Sequence, residues 1–243
     1  MKGVTKMRTL SELLSNCLVR MLHFKRRTDR LPLVREAFDT LGIEYSLDLL
    51  IEPVDVSKLT TDEYGLMAEK KPTLSLAKTK AICMEQAIKA DKPLLFLEDD
   101  VVFHPRIAEK MEAVLAELPD DWRVFYFGWG ETRLSPDLEP LIQQRQVDVV
   151  KFSTIRRLRF PVLNHALYIR CKQCLTELSQ YITAPATYHK GNISASDMAI
   201  ALYFIENNIP MYGANPILAA QANGWSDRVQ KGIRHRPLKI EQL

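Results

Sequence analysis

The residues best suited to chemistry fall in one stretch, Pro93-Leu94-Leu95-Phe96-Leu97-Glu98-Asp99-Asp100-Val101-Val102-Phe103. An apolar run ends in three consecutive carboxylates, and apolar residues resume at once. That pattern reads as a buried strand with acids pushed out at its carboxyl end. Three acids beside a strand core are costly unless they are solvated, paired or neutralised by a cation. No positive side chain is expected to adjoin the acids, so a divalent cation is the expected partner. Hard oxygen ligands suit Mg²⁺ or Mn²⁺, which also hold substrate phosphates. The plainer alternative is a polar turn whose acids sit near a helix amino end.

The elements that must position this stretch alternate between strand and helix. Cys17 to Phe24 is expected as a first strand, followed by the basic turn Lys25-Arg26-Arg27-Thr28-Asp29-Arg30. Val34, Ala37, Phe38 and Leu41 keep helical spacing, and Gly42 stands where a C-cap glycine belongs. Ile43 to Val54 reads as a second extended segment, and Ala77, Ala81, Met84 and Ile88 mark the helix leading into the acids. Pro105 is expected to start the next helix, with Ile107, Met111, Val114, Leu115 and Leu118 on one face. Trp122 to Phe127 is a strand stopped by Gly128-Trp129-Gly130, Asp137 to Phe160 a surface excursion, and Leu163 to Ile169 a further strand. Cys171 to Ile182 is expected to be helical, and Ser194 to cap a helix with Asp197 in its first turn. Repeated alternation predicts an α/β fold, Rossmann-like, with a mostly parallel central sheet flanked by helices. Ligands in such sheets sit at the carboxyl ends of strands, where the acids fall.

Composition sets the outer limits. A chain of 243 residues with 47% hydrophobic and 26% charged content is an ordinary globular protein. It is read as one domain over residues 1–243, with 1–16 and 232–243 peripheral. A net charge of +3 does not describe a strongly basic nucleic-acid binder. No apolar run reaches the roughly 18 residues of a membrane span, and Met1 to Asn16 has no signal-peptide core. Cys17, Cys83, Cys171 and Cys174 make no disulfide framework, and the lone CxxC has no second pair to complete a zinc site. Structural thiols in a reducing cytoplasm are expected. Two basic accumulations stand out: Lys151, Arg156, Arg157, Arg159, Arg170 and Lys172, then Arg228, Lys231, Arg234, Arg236 and Lys239. They read either as a solvated surface or as a seat for an anionic partner: lipopolysaccharide phosphate, a membrane face met peripherally, or nucleic acid.

The order of motifs resembles glycosyltransferase family 25, the group of lipooligosaccharide and collagen galactosyltransferases. The resemblance runs from His23-Phe24-Lys25-Arg26-Arg27-Thr28-Asp29-Arg30 through Pro53-Val54-Asp55 to Leu97-Glu98-Asp99-Asp100-Val101, the family's LEDD signature. It continues with Phe127-Gly128, His165 to Ile169, Asp197, Pro216 and the closing Gln221 to Asp227, so it covers roughly residues 17–230. Three positions depart from the pattern: Ala77-Lys78 replaces an SH pair, His23 an asparagine and Val56 a glycine. These lie on the nucleotide side and leave donor and acceptor open.

The resemblance implies a GT-A type fold and an inverting transfer of sugar from a nucleotide donor, UDP-linked, to an acceptor hydroxyl. It implies Asp100 and Glu98 at the metal, with Glu98 or Asp99 orienting its water or the donor ribose. Glu98 and Asp100 stand two apart, as in a DxD-type motif, so on a strand end both can point the same way. His23, Arg27, Arg30, Asp55, Lys78, Glu98, Asp99, His165, Gln221, Ser226 and Asp227 fall on the donor side. Asp197 is the first candidate for the general base and Glu131, after Gly130, the second. Each has a plainer reading: helix-terminal charge for Asp197, an exposed loop acid for Glu131, a satisfied strand histidine for His165, an ordinary turn for Gln221 and Asp227. The implied acceptor is a lipopolysaccharide or other anionic surface glycan. A modified DNA base, or a non-catalytic anion-binding module of the same fold, is the alternative.

Overall fold

The computed structural model describes residues 7–60, 71–131, 152–188, 193, 195–222, 224–226 and 231–233. Ser194, Asp227, Lys151, Arg228, Arg234, Arg236, Lys239 and most of the expected excursion lie outside them. The first elements are helix α1 (Leu10–Ser15), strand β1 (Leu18–Leu22), helix α2 (Leu31–Leu41) and strand β2 (Leu50–Ile51). Helix α3 (Lys71–Ala90) leads into β3 (Leu94–Glu98), and a tight turn into β4 (Val101–Phe103), α4 (Ile107–Glu117), β5 (Val124–Tyr126) and β6 (Gly130–Glu131). Then come β7 (Ile155–Leu158), β8 (Pro161–Val162), β9 (Ala166–Ile169), α5 (Lys172–Thr183), α6 (Pro185–Tyr188) and α7 (Ser196–Glu206). The last strands are β10 (Met211–Ala214), β11 (Ala219–Gln221), β12 (Gly224–Ser226) and β13 (Lys231–Ile233).

Seven strands form the main sheet in the order β2-β1-β3-β9-β5-β10-β7. Strands β1, β2, β3, β5 and β10 run one way, and β7 and β9 the other. The α/β class and the mostly parallel sheet are therefore as expected. The pleat sends alternate residues of each strand to opposite faces. Leu94, Phe96, Val124, Tyr126, Leu167 and Ile169 pack under α3, α5 and α7. Leu95, Leu97, Phe125, Phe127, Ala166 and Tyr168 pack with α1, α2 and α4. Both faces are covered, which is why β3 is a continuous apolar run.

Local chemistry explains the boundaries. Thr9 and Glu12 form a capping box at α1, and Gly42 closes α2 at φ 68°, a left-handed position that glycine takes without a Cβ clash. The expected extended segment 43–54 shrinks to a helical turn (Leu47–Leu49) and the two-residue β2, because Ser46 caps the turn through the Asp48 amide. Pro105 does not open α4. It sits in a turn fixed by the Arg106 amide donating to His104 Nδ1 at 3.0 Å, and the helix begins at Ile107. All four cysteines are free thiols. Cys171 Sγ caps α5 by accepting from the Cys174 amide at 3.4 Å, and burial pushes the Cys174 thiol up to about 12.

Two features place side chains at the acidic end of the sheet. Strand β9 runs backward between β3 and β5, so the residues before it, Asn164 and His165, arrive at the carboxyl ends of its neighbours. The turn after β3 folds β4 against β11, with Gln221 opposite Val101 and the Ala222 amide donating to the Asp100 carbonyl at 2.7 Å.

Candidate functional site

Glu98 is the last residue of β3, and Asp99 and Asp100 form the turn beyond it. The pleat separates the first two. Asp99 shares a face with Leu97 and Leu95 and meets the segment between β1 and α2: His23 Nδ1 donates to its Oδ2 at 2.8 Å, and Arg30 Nη1 donates to its Oδ1. Glu98 shares the face of Phe96 and meets α3, where Lys80 Nζ lies 3.5 Å from its Oε1. Gln221 Nε2 lies 3.5 Å from Glu98 Oε2. Asp100 turns toward Arg30, the residue before α2, with Oδ2 3.4 Å from its Nη1. The strand has ended, so the expected shared direction of Glu98 and Asp100 does not extend to their cationic partners. The expectation that no positive side chain adjoins the acids is overturned. Arg30 and Lys80 come from distant parts of the sequence.

Asp100 Oδ1 alone among the triplet's carboxylate oxygens is buried with no partner among the described residues. Burial, then the charge of Glu98, pushes the Asp100 carboxyl up to about 7 against the pull of Arg30. A half-buried carboxylate with one buried, unpartnered oxygen and like charges beside it favours an added cation. Among the described residues no three His, Cys, Asp or Glu side chains form a closed metal cage. A hard cation held by one or two carboxylates, water and substrate phosphate needs none. The donor set thus fits Mg²⁺ or Mn²⁺ through Asp100 with Glu98, while Asp99 has both oxygens taken inside the protein.

The other expected residues fall at graded distances from this centre. Arg27 does not share the fate of Arg30: it forks onto Asp29 at 2.9 and 2.8 Å and pulls that carboxyl down. Asp55 is exposed and caps a helical turn by accepting from the Ser57 amide at 2.9 Å. Lys78 is half-buried on α3, about 200° round the helix from Lys80, and Lys80 is the lysine seated at Glu98. His165 is buried, and its carbonyl accepts from the Glu98 amide at 3.0 Å. Ser226 lies in β12, paired with Lys231 of β13.

Both base candidates border one short loop. Strand β6 pairs with β8, putting Glu131 opposite Pro161. Two residues on, Leu163 holds φ 69° with its side chain 39% exposed, and its amide donates to Asp197 Oδ2 at 3.2 Å. A left-handed leucine is strained by roughly 1–2 kcal/mol, so the Asp197 carboxylate fixes a loop that would otherwise relax. Asp197 stands in the first turn of α7 as expected, next to Ser196, whose Oγ is 3.3 Å from Lys80 Nζ. The N-cap is Ala195 and gives no side-chain bond.

Sequence reading missed Lys80, Ser196 and Asn164. Lys80 had a signal: it lies on the apolar stripe of Ala77, Ala81 and Met84 and is 2% exposed, so a charge there needed a buried partner. Asn164 is equally buried, at 2%, and both its amide atoms lack a partner among the described residues. Its location depended on the reversal of β9, which no local pattern carries.

A cleft of about 590 Å³ opens beside the acids, lined by His23, Lys25, Leu31, Leu47, Asp48, Leu50 and Glu52. His23 belongs both to this cleft and to the Asp99 contact. The first basic accumulation is not one surface. Arg156 lies over the Trp129 ring, 5.2 Å from its centroid, toward the acidic end of the sheet. Arg170 stacks on Trp122 at 5.3 Å and Lys172 pairs with Asp91 at 2.7 Å, at the far end of the strands. Among the described residues no helix is long and apolar enough to cross a membrane. No family model matches the chain, and no curated protein matches it.

Proposed function

We propose that the chain is a glycosyltransferase of the family 25 kind, with a GT-A type fold, transferring a sugar from a UDP-linked donor with inversion. The observation that carries this reading is the continuity of cleft and acids through His23, which lines the one and holds Asp99 of the other. Leu31, Leu47 and Leu50 offer apolar walls to a nucleobase, and Asp48 and Lys25 polar groups to its edges and ribose. The diphosphate then falls over the carboxyl end of β3. Asp100 and Glu98 would hold a divalent cation, which would supply stabilisation of negative charge on the leaving diphosphate. Arg30, fixed between Asp99 and Asp100, keeps the turn rigid.

On the other side, Asp197 takes the proton from the acceptor hydroxyl as that oxygen attacks the anomeric carbon. The bond from carbon to diphosphate breaks in the same displacement. Backbone amides of Leu163 and Met198 hold the carboxylate in place at 3.2 and 3.0 Å. The acceptor we propose is an anionic surface glycan, met in the cytoplasm, with Arg156 on Trp129 at the rim as the supporting feature. The test is a thermal-shift screen of sugar nucleotides with and without Mn²⁺. The expected result is a stabilisation by one UDP-sugar that needs the metal, and the opposing result is no shift with any of them.

A further inference from the structure

Capping alone does not call for a cysteine at position 171. A helix amino cap is best served by Ser, Thr, Asp or Asn, whose oxygens accept strongly, whereas a thiol sulfur is a weak acceptor. Cys171 nevertheless fills the cap of α5, its Sγ accepting from the Cys174 amide at 3.4 Å. Residues three apart at a helix start are neighbours on one face, so the two side chains meet. Cys171 is half-buried and Cys174 only 2% exposed. An outer thiol stands over an inner one.

The surroundings of this pair differ from those of the other two thiols. Cys17 and Cys83 are buried in separate parts of the core, and burial pushes each up to about 12. Isolated buried thiols of that kind are inert. At Cys174, burial and then the neighbouring Cys171 sulfur push the thiol up to about 12, while the Arg123 guanidinium pulls it down. The part of the rise that comes from charge on Cys171 disappears once that sulfur is bonded to another. The inner thiol is therefore held protonated until the outer one has reacted, and is eased toward its reactive form afterwards. Arg123 is exposed and offers positive charge to an anionic reagent arriving at the pair.

We propose that Cys171 and Cys174 form a dithiol–disulfide centre that exchanges with a low-molecular-weight disulfide. The Cys171 thiolate attacks one sulfur of the reagent. A new S–S bond forms between them, the reagent's own S–S bond breaks, and its other half leaves as a thiolate that takes up a proton. Cys174 then gives up its proton and attacks the Cys171 sulfur, which releases the second half of the reagent as a thiol. The chain loses two electrons and two protons, and the reagent gains both. The pair follows Ile169, which stands opposite Leu94 at the start of β3. It therefore lies at the end of the sheet away from Glu98–Asp100 and is independent of the transferase reading.

The test is incubation of the full, reduced chain with oxidised glutathione. An acid quench, alkylation of the remaining thiols under denaturing conditions and peptide mass mapping follow. The wild-type chain is expected to form a Cys171–Cys174 disulfide that dithiothreitol reverses, with Cys17 and Cys83 recovered as alkylated thiols. Cys174→Ser should stop at a mixed disulfide of glutathione on Cys171. Cys171→Ser keeps a capping acceptor, and modification of its Cys174 should be slower than that of wild-type Cys171 by roughly tenfold or more. Melting curves check that both variants fold, and the wild-type map decides the matter even where a variant does not. No Cys171–Cys174 disulfide in the wild-type chain, or a mixed disulfide on Cys171 that never closes, overturns the proposal. Cys17 or Cys83 reacting as fast as Cys171, or Cys174 reacting as fast without Cys171 as with it, overturns it too.

Discussion

Asp100 is half-buried beside Glu98 and Asp99 and shares Arg30 with Asp99, and its Oδ1 is buried without a partner among the described residues. Its carboxyl titrates near 7 in the folded chain, against an ordinary value of 3.8. Between those values the folded state binds more protons than the unfolded one, so this group's contribution to stability falls as pH rises through that window. Asp100→Asn removes the penalty. The variant should melt at a higher temperature than wild type at pH 8 and at nearly the same temperature at pH 4, read by paired thermal melts. A wild-type advantage at pH 8 without metal would contradict the burial argument. Asp197 offers the second residue-scale prediction: Asp197→Asn keeps an acceptor for the Leu163 amide but removes basicity. Its kcat should fall by roughly 10²-fold or more with donor affinity unchanged, whereas near-normal kcat alongside loss in Glu131→Gln would move the base to Glu131. The acids themselves were legible as a cluster at the end of an apolar strand, beside the plainer reading of a polar turn, and Asp99 and Asp100 do form a turn there. Their partners were not. Arg30 and Lys80 reach them through tertiary packing, and adjacency in sequence says nothing of that.

At the scale of elements, the site depends on segments pinned by single side chains. Glu117, at the end of α4, accepts from the Ser153 amide at 2.5 Å, the Thr154 amide and hydroxyl at 2.6 Å each, and the Ile155 amide at 3.1 Å. Partial burial pushes its carboxyl up, but the Thr154 hydroxyl and the Ser153 and Thr154 amides outweigh that and leave it at about 2. This clamp fixes the start of β7, the sheet's edge strand, which carries Arg156. Glu117→Gln should cost about 1–2 kcal/mol, near the low end for bonds to a charged group because the site is half exposed. The wild-type contribution should be full above the ordinary carboxylate range near 4.5 and vanish as pH falls toward 2. Amide exchange across 153–158 should speed up in the variant, and unchanged protection would contradict the clamp. Gly128 is the other pin. A Cβ there would stand 2.0 Å from the Ala219 carbonyl oxygen and 2.4 Å from His165 Nε2. Gly128→Ala should therefore displace β11 and Gln221, destabilising the fold by about 1–3 kcal/mol and weakening donor binding. Helix spacing and the Gly42 cap were readable because both act within a few residues. The loop Leu163 shares with Asp197 was not, since it is shaped by a partner 34 residues along the chain, and the short β2 was not, since the Ser46 cap that cuts the extended segment was overlooked.

For the molecule as a whole, the alternation of strands and helices was enough to expect a covered, mostly parallel sheet with its ligand end at Glu98–Asp100. The strand order was beyond the pattern, above all the reversed β9 that delivers Asn164 and His165 to the acidic end. The same topology splits the first basic accumulation, which sequence presents as one patch. Arg156→Ala should raise the acceptor KM and lessen its salt dependence, while Arg170→Ala, at the opposite end of the strands, should leave both unchanged. Sugar transfer from a nucleotide at Asp100, as proposed, would be read as UDP release from UDP-sugars in the presence of Mn²⁺, comparing wild type with Asp100→Ala. Release should stop with excess chelator and fall by at least about 10²-fold in the variant, whose melting curve should stay cooperative. Release at equal rates from both proteins, or none from any UDP-sugar with wild type, would contradict it.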